Sequence, residues 1–352
     1  MRKLLPTMVI AMTSLTPAWV TAQPLLLTGM QPALVQDDAT QATAETTEPS
    51  KPTFEAYVEQ LQSEAKAEGF TEQTLQAAFA KVKYYERAVE LDKNQPEFKL
   101  TLDTYLPRAV PDWKAQQARE LYQEHLPLLT EIGEKYGVQP RFIVALWGIE
   151  TNFGKFTGGF DVISSLTTLA YDGRREAFFK RQLWQALTII QEGHIAPDDM
   201  KGSWAGAMGQ TQFMPSSFMQ YAVDYDGDGK KDIWGSLPDV FASAANYLSS
   251  VGWRDDVTWG RQVQIPEDFD EQLATLKTKK SLAEWQALGV RRYDGENLPQ
   301  RDDIEASVII PDDKHGRVYL AYANYDALMR WNRSNYFVAA VGLLSDRIRF
   351  GG

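Results

Sequence analysis

Glu150 closes an unbroken apolar run, Phe142-Ile143-Val144-Ala145-Leu146-Trp147-Gly148-Ile149, and is followed by Thr151-Asn152-Phe153-Gly154. Burial disfavours the charged form of a carboxyl, and a carboxyl that keeps its proton near neutral pH can act as a general acid toward a leaving group. The same pattern also suits a helix-terminal Glu whose head reaches solvent. A second cluster runs Asp224-Tyr225-Asp226-Gly227-Asp228-Gly229-Lys230-Lys231-Asp232. Carboxylates at loop positions 1, 3 and 5, glycine at 6 and the Lys230 carbonyl at 7 open a calcium loop. At position 12 Gly235 stands where a bidentate Glu is usual, and Asp239 from the following helix would close the site after a longer loop. The alternative is a solvated acidic turn; calcium is the expectation.

Two more segments carry binding chemistry. Gly202-Ser203-Trp204-Ala205-Gly206-Ala207-Met208-Gly209-Gln210-Thr211-Gln212-Phe213-Met214-Pro215-Ser216-Ser217 lets a ligand approach the backbone closely, with Ser203 and Gln212 offering hydrogen bonds. On composition alone it equally suits a tight helix-packing loop. Arg330-Trp331-Asn332-Arg333-Ser334-Asn335-Tyr336 mixes aromatic faces with amides. That mixture suits a sugar, or an ordinary surface helix.

The elements that must position these groups read mostly as helices. Phe54, Tyr57, Val58 and Leu61 recur at helical spacing, and Thr71 caps a predicted helix to Val82. Asp112 caps a predicted helix to Tyr136 that Pro127 must kink or interrupt; Gly137 suits its left-handed end and Pro140 the first turn of the next. That next helix ends at Glu150. Further helices are predicted over 174–191 and 239–251. Residues 257–265 and 306–310 have strand character inside a punctuated, β-rich stretch, and 325–348 returns to helical periodicity.

The bulk properties narrow the function. Arg2 and Lys3, an apolar stretch from Leu4 to Val20 and Val20-Thr21-Ala22 read as a removable export signal, too short and too broken for a membrane span. Gln23 to Pro52 has little that could pack and reads as a disordered linker. There is no cysteine, which excludes disulfides, thiolate metal sites, a Cys nucleophile and a Cys-linked lipid anchor. Three histidines, His125, His194 and His315, leave little for a zinc site or a Ser-His-Asp triad, and a net charge of −11 argues against nucleic acid.

Together the motifs resemble the lytic murein transglycosylase B family. The resemblance rests on Val144 to Gly154, Leu166 to Phe179, Gly202 to Ser217, the Asp-rich loop with Ala245-Asn246-Tyr247, and the Asn332 segment, and it spans about residues 54–350. It implies an α+β, mainly α fold: a lysozyme-like helical core with a flanking helical domain and a small β domain. The expected division is 1–22 signal, 23–52 linker, 53–138 helical domain, 139–254 core with the calcium loop, 255–318 β domain and 319–352 helical return. Residue by residue, Glu150 matches the sole catalytic acid/base. Tyr105, Ser203, Gln212, Tyr247, Asn332 and Tyr336 match cleft positions. Asp224, Asp226, Asp228, the Lys230 carbonyl and Asp239 match ligands of one structural calcium. No organic cofactor is implied.

The implied substrate is the peptidoglycan glycan strand, acted on by a soluble periplasmic protein, with other cell-wall enzymes as candidate partners. Glycosidases ordinarily pair two carboxylates. The resemblance implies instead that Glu150 alone protonates the MurNAc–GlcNAc oxygen while the substrate's N-acetyl carbonyl stabilises the cation. Glu150 then takes the C6 hydroxyl proton to leave a 1,6-anhydro end. The rivals are a hydrolytic muramidase, which would need Asp161 or Asp172 as second carboxylate, and a non-catalytic binder or scaffold.

Overall fold

A computed structural model of the chain describes residues 51–93 and 100–350, so the export signal and nearly all of the expected linker lie outside the described residues. Thr53 accepts the Ala56 amide and opens α1 (Phe54–Ala67), and Thr71 accepts the Thr74 amide to open α2 (Glu72–Phe79). With α3 (Glu86–Lys93) and α4 (Leu102–Ala109) these form the leading helical layer. The helix expected over 112–136 is two helices, α5 (Asp112–Glu124) and α6 (Leu126–Tyr136). The break falls at His125 because Pro127 supplies no amide and its ring cannot follow a continuing helix. Gly137, with φ 65°, ends α6 in the left-handed conformation, and Pro140 opens α7 (Pro140–Thr151).

After a two-residue strand β1 (Phe160–Asp161) come α8 (Val162–Asp172) and α9 (Glu176–Gln191). Strand β2 (Lys201–Gly202) pairs antiparallel with β1. Then follow α10 (Pro215–Tyr221) and α11 (Leu237–Ser250), the latter capped by Ser236 and starting two residues before the expected Asp239. Helix α8 was not anticipated, and its composition shows why. Ser164, Ser165, Thr167 and Thr168 sit fully inside the fold, so polar letters fill its buried face. Two of those hydroxyls accept the amides of Lys83 and Tyr85, which pins the chain between α2 and α3 onto α8.

The remaining strands are β3 (Gly260–Gln264), β4 (Lys280–Ser281), β5 (Arg291–Arg292), β6 (Glu305–Ile309) and β7 (Val318–Ala321). They form one antiparallel sheet in the order β4-β6-β7-β3-β5, which therefore runs on past residue 318. Alternate side chains of β7 serve two cores: Val318 and Leu320 pack with Trp285 of α12 (Leu282–Ala287), while Tyr319 and Ala321 join the helical core. Trp285 is fully buried and donates to the Ala306 carbonyl at 2.8 Å. Finally α13 (Ala323–Trp331) and α14 (Asn335–Phe350) return to the helical body, α14 packing along α7. The fold is mainly α with a small sheet.

One buried ion cluster ties the leading helices to the body. Asp92 of α3, 3 % exposed, accepts from Arg174 Nε at 2.9 Å and Nη2 at 2.6 Å and is also bound by Arg175, the two residues before α9. Removing one partner of a buried ion pair typically costs about 3–5 kcal/mol. Asp92→Ala is therefore expected to lower the unfolding free energy by about that amount. A denaturant midpoint unchanged from wild type would contradict it.

Candidate active site

Helix α7 is buried along its length, with Phe142 to Leu146 at most 1 % exposed, and it delivers Glu150 in its last turn. The chain then makes an abrupt exit. Among the described residues only three non-glycine residues adopt positive φ, Asn152 (50°), Phe153 (61°) and Gln212 (52°), and two of them directly follow the Glu150 turn. Such conformations cost of order 1–3 kcal/mol each and persist where surrounding structure overdetermines them. Here the Phe153 amide returns to the Trp147 carbonyl and its ring meets Trp147 edge-on at 5.5 Å. Gln212 Nε2 donates to the carbonyls of Thr157 and Gly209, both at 3.0 Å. Gly158 allows the exit loop to lie against the Gly202 backbone, since a Cβ there would stand 2.0 Å from the Gly202 oxygen.

Gln210 fastens this exit. Its Oε1 accepts from Trp147 Nε1 at 2.7 Å, its carbonyl accepts from Thr151 Oγ1 at 3.0 Å, and its Nε2 donates to the Trp234 carbonyl at 2.8 Å. The Gln210 amide donates to the Ile233 carbonyl. A single side chain thus links the end of the α7 helix to the acidic loop. Sequence reasoning placed Gln210 inside a motif without a role, because its partners come from three separate segments.

Glu150 itself is half-buried, and its Oε1 accepts a 2.7 Å hydrogen bond from Trp331 Nε1. Burial pushes its carboxyl up to about 8, with the Trp331 donor opposing the rise; no other acid figures among the groups acting on it. Trp331 is fixed against Tyr247 (ring centroids 4.7 Å) and Phe213 (5.3 Å). Only its place in an aromatic, amide-rich segment signalled it beforehand. The two rival carboxylates have other tasks. Asp161 caps α8 by accepting the Ser164 amide at 2.8 Å, and Asp172 accepts from Lys93 at 2.8 Å.

The other expected residues fall in four places. Gln212 and Tyr247 line a cleft of about 1040 Å³ together with Phe213, Trp331 and residues of α9; the Tyr247 hydroxyl is held by the Arg330 carbonyl at 2.7 Å. Asn332 caps α13 beside Trp331. Tyr105 and Tyr336 meet edge-on at 5.3 Å. Tyr336 donates to the Leu100 carbonyl and to Asp312, whereas the Tyr105 hydroxyl is buried with no partner among the described residues. Burial, and secondarily the Glu150 charge, pushes the Tyr105 hydroxyl up, so Tyr105 is electrostatically close to Glu150. Ser203 differs: it is 1 % exposed, and its hydroxyl accepts the Ala207 amide at 3.0 Å, so it shapes the loop from inside.

In the acidic loop, carboxylate oxygens of Asp224, Asp226 and Asp239 lie within 4.8 Å of one another, a donor set of hard oxygens that could hold a metal ion. Asp228 is outside that group and instead accepts the Lys230 amide at 2.8 Å. Asp239 is fully buried and accepts the amides of Tyr225 and Asp232, both at 2.7 Å, and burial raises its carboxyl above the usual range. It gathers the loop around itself.

Comparison with known proteins gives the family. Residues 53–346 match the family model described as Transglycosylase SLT domain. The chain is 29 % identical over 296 residues to membrane-bound lytic murein transglycosylase B of Escherichia coli K12, covering 80 % of this chain and 79 % of that one. Among solved structures, SltB3 from Pseudomonas aeruginosa in complex with NAG-NAM-pentapeptide is 42 % identical with a TM-score of 0.82, covering 85 % of this chain and 80 % of that one. The Escherichia coli lytic transglycosylase Slt35 in complex with calcium is 27 % identical with a TM-score of 0.72, covering 85 % and 93 %. The chain belongs to the transglycosylase SLT-domain family, which includes the lytic murein transglycosylases of B type.

Proposed function

We propose that the protein cleaves the β-1,4 bond between MurNAc and GlcNAc in peptidoglycan strands and closes a 1,6-anhydroMurNAc ring, with Glu150 as its single acid and base. The observation that carries this reading is a lone, desolvated carboxyl held by Trp331, with Asp161 and Asp172 both engaged elsewhere. Protonated Glu150 gives its proton to the glycosidic oxygen, and the bond to C1 breaks. The substrate's N-acetyl carbonyl stabilises the cationic centre. The resulting carboxylate takes the C6 hydroxyl proton as that oxygen closes onto C1, which restores the acid without water. One group that serves twice works best with a pKa near the working pH.

Relatives of this chain bound to NAG-NAM-pentapeptide and NAG-anhNAM-pentapeptide support the same reading. Gln212 and Tyr247 would line the glycan path, with Tyr105, Asn332 and Tyr336 on its further wall and Ser203 bracing the loop beneath. Asp224, Asp226 and Asp239 would hold calcium, with Asp228 and the Lys230 carbonyl completing the shell. The ion supplies charge compensation to the loop and takes no part in the reaction. In this reading the protein works as a soluble periplasmic enzyme after loss of residues 1–22, alongside other cell-wall enzymes.

The test of catalysis is release of soluble fragments from purified cell-wall sacculi by the mature protein. A protein that binds sacculi without releasing fragments would overturn the proposal. Trp331→Phe keeps the aromatic packing but removes the donor to Glu150. Its Glu150 pKa should rise above about 8, moving the alkaline limb of kcat/KM to higher pH with a rate loss of about tenfold. An unmoved limb would deny Trp331 this role.

A further inference from the structure

The seam between the sheet and α14 holds another cavity, of about 270 Å³, with Trp259, Tyr319 and Leu343 among its walls and Arg261, Arg317, Arg349 and Asp346 as its charged groups. Arg349 also lines an adjoining cavity of about 560 Å³ at the first turn of α7, where Arg141 stands. Arg141 precedes Glu150 by about 14 Å along the helix axis, so this seam is remote from the chemistry.

Several arginines of the chain are paired with acids. Arg174 and Arg175 bind Asp92, Arg301 binds Asp303, Arg347 binds Asp112, and Arg317 itself binds Asp103. Arg141, Arg261 and Arg349 make no ion pair and no side-chain hydrogen bond with any described residue. The Nε atoms of Arg141 and Arg261 are buried and unpartnered. All three charges act on one carboxylate, Asp346, yet its hydrogen bond comes from Trp259 Nε1 at 3.1 Å. On the far rim Asp256 is taken by Arg254, at 3.0 and 2.6 Å, and Asp255 is the other acid present. Arg349 is exposed, but Arg141 and Arg261 are half-buried, and a half-buried guanidinium without an acceptor is costly to maintain. Its fork of donors is the geometry that recognises carboxylate and phosphate. The Arg349 charge adds to the strain by pushing the Arg141 guanidinium down, after the larger effect of burial.

We propose that Arg141, Arg261 and Arg349 form a second ligand site that binds an oxyanion, the phosphate or carboxylate group of a small ligand seated against Trp259 and Tyr319. The site is separate from the glycan cleft and does not depend on the activity proposed above. It neutralises a cluster of three guanidinium groups that Asp346 compensates only in part.

Thermal melting of the mature protein, in chloride buffer of constant ionic strength, is titrated with inorganic phosphate and with succinate. A saturable rise in Tm is expected. A response to phosphate alone identifies a phosphate-bearing ligand, and a response to succinate alone a carboxylate. Arg141→Gln and Arg261→Gln should each raise the half-saturating concentration about tenfold or more, the loss of at least one charge-assisted bond. In chloride alone, without phosphate or succinate, both variants should melt no lower than wild type, because each removes a like charge, and both should release fragments from sacculi at the wild-type rate. Absence of a saturable rise with either anion, an equal rise in wild type and Arg261→Gln, or a lower Tm of both variants in chloride alone would overturn the site.

Discussion

Replacing Glu150 by Gln is expected to abolish cleavage, with turnover reduced by at least about 10³-fold, since acid and base steps are each worth about 10²–10⁴. The amide matches the carboxyl in shape and still accepts from Trp331 Nε1, so fold and glycan affinity should survive. A pH series separates this loss from misfolding. The Glu150 pKa in the folded protein, about 8, lies above its ordinary value of 4.5. Its folded pKa being raised, the stabilising contribution of the protonated group is complete below 4.5 and is lost as pH rises toward 8. Glu150→Gln has no proton to lose there. Its melting temperature relative to wild type should therefore climb between pH 5 and pH 8. A variant that melts in parallel with wild type across that range would show that Glu150 is not desolvated. A variant that still cleaves would remove it from the chemistry.

The second large effect is on stability. Three carboxylates within 4.8 Å repel one another, and one of them, Asp239, is fully buried. A bound divalent cation relieves that repulsion. An ion at 100 times its dissociation constant stabilises by about 2.7 kcal/mol, which for a folded chain of about 300 residues is a Tm shift of roughly 4 °C. Chelation should lower Tm by about that much and leave initial cleavage rates at low temperature much less affected. Asp239→Ala should abolish the response to added calcium and also loosen the loop, because two amides lose their acceptor. A chelator that stopped cleavage without changing Tm would put the ion in the reaction. The route by which loop disorder could reach Glu150 is short: Gln210 donates to the Ile233 and Trp234 carbonyls on one side and accepts from Trp147 and Thr151 on the other.

What could be read from the sequence was whatever depends on neighbours along the chain. The apolar run places Glu150 at a helix end, Gly137 and Pro140 mark a turn between helices, and alternating aspartates mark the acidic loop; all three are local patterns. The Trp331 bond to Glu150 joins residues 181 positions apart, and no local spacing encodes it. Strand β7 escaped because both its faces are buried, so Val318-Tyr319-Leu320-Ala321 lacks the alternation that marks a half-exposed strand. Helix α8 escaped for the opposite reason, its buried hydroxyls answering backbone amides of another segment. Ser203 shows a further limit: its place in a glycine-rich motif was legible, but the direction of its hydroxyl, turned inward to Ala207, was not.

The claim that Glu150 acts alone is tested most directly by the mass of the fragment ends. Mass spectrometry of the muropeptides released from purified peptidoglycan should find them short by one water, as 1,6-anhydroMurNAc termini, across the active pH range. Reducing MurNAc ends as the main product would contradict the account, because a water would then have been activated by a second carboxylate.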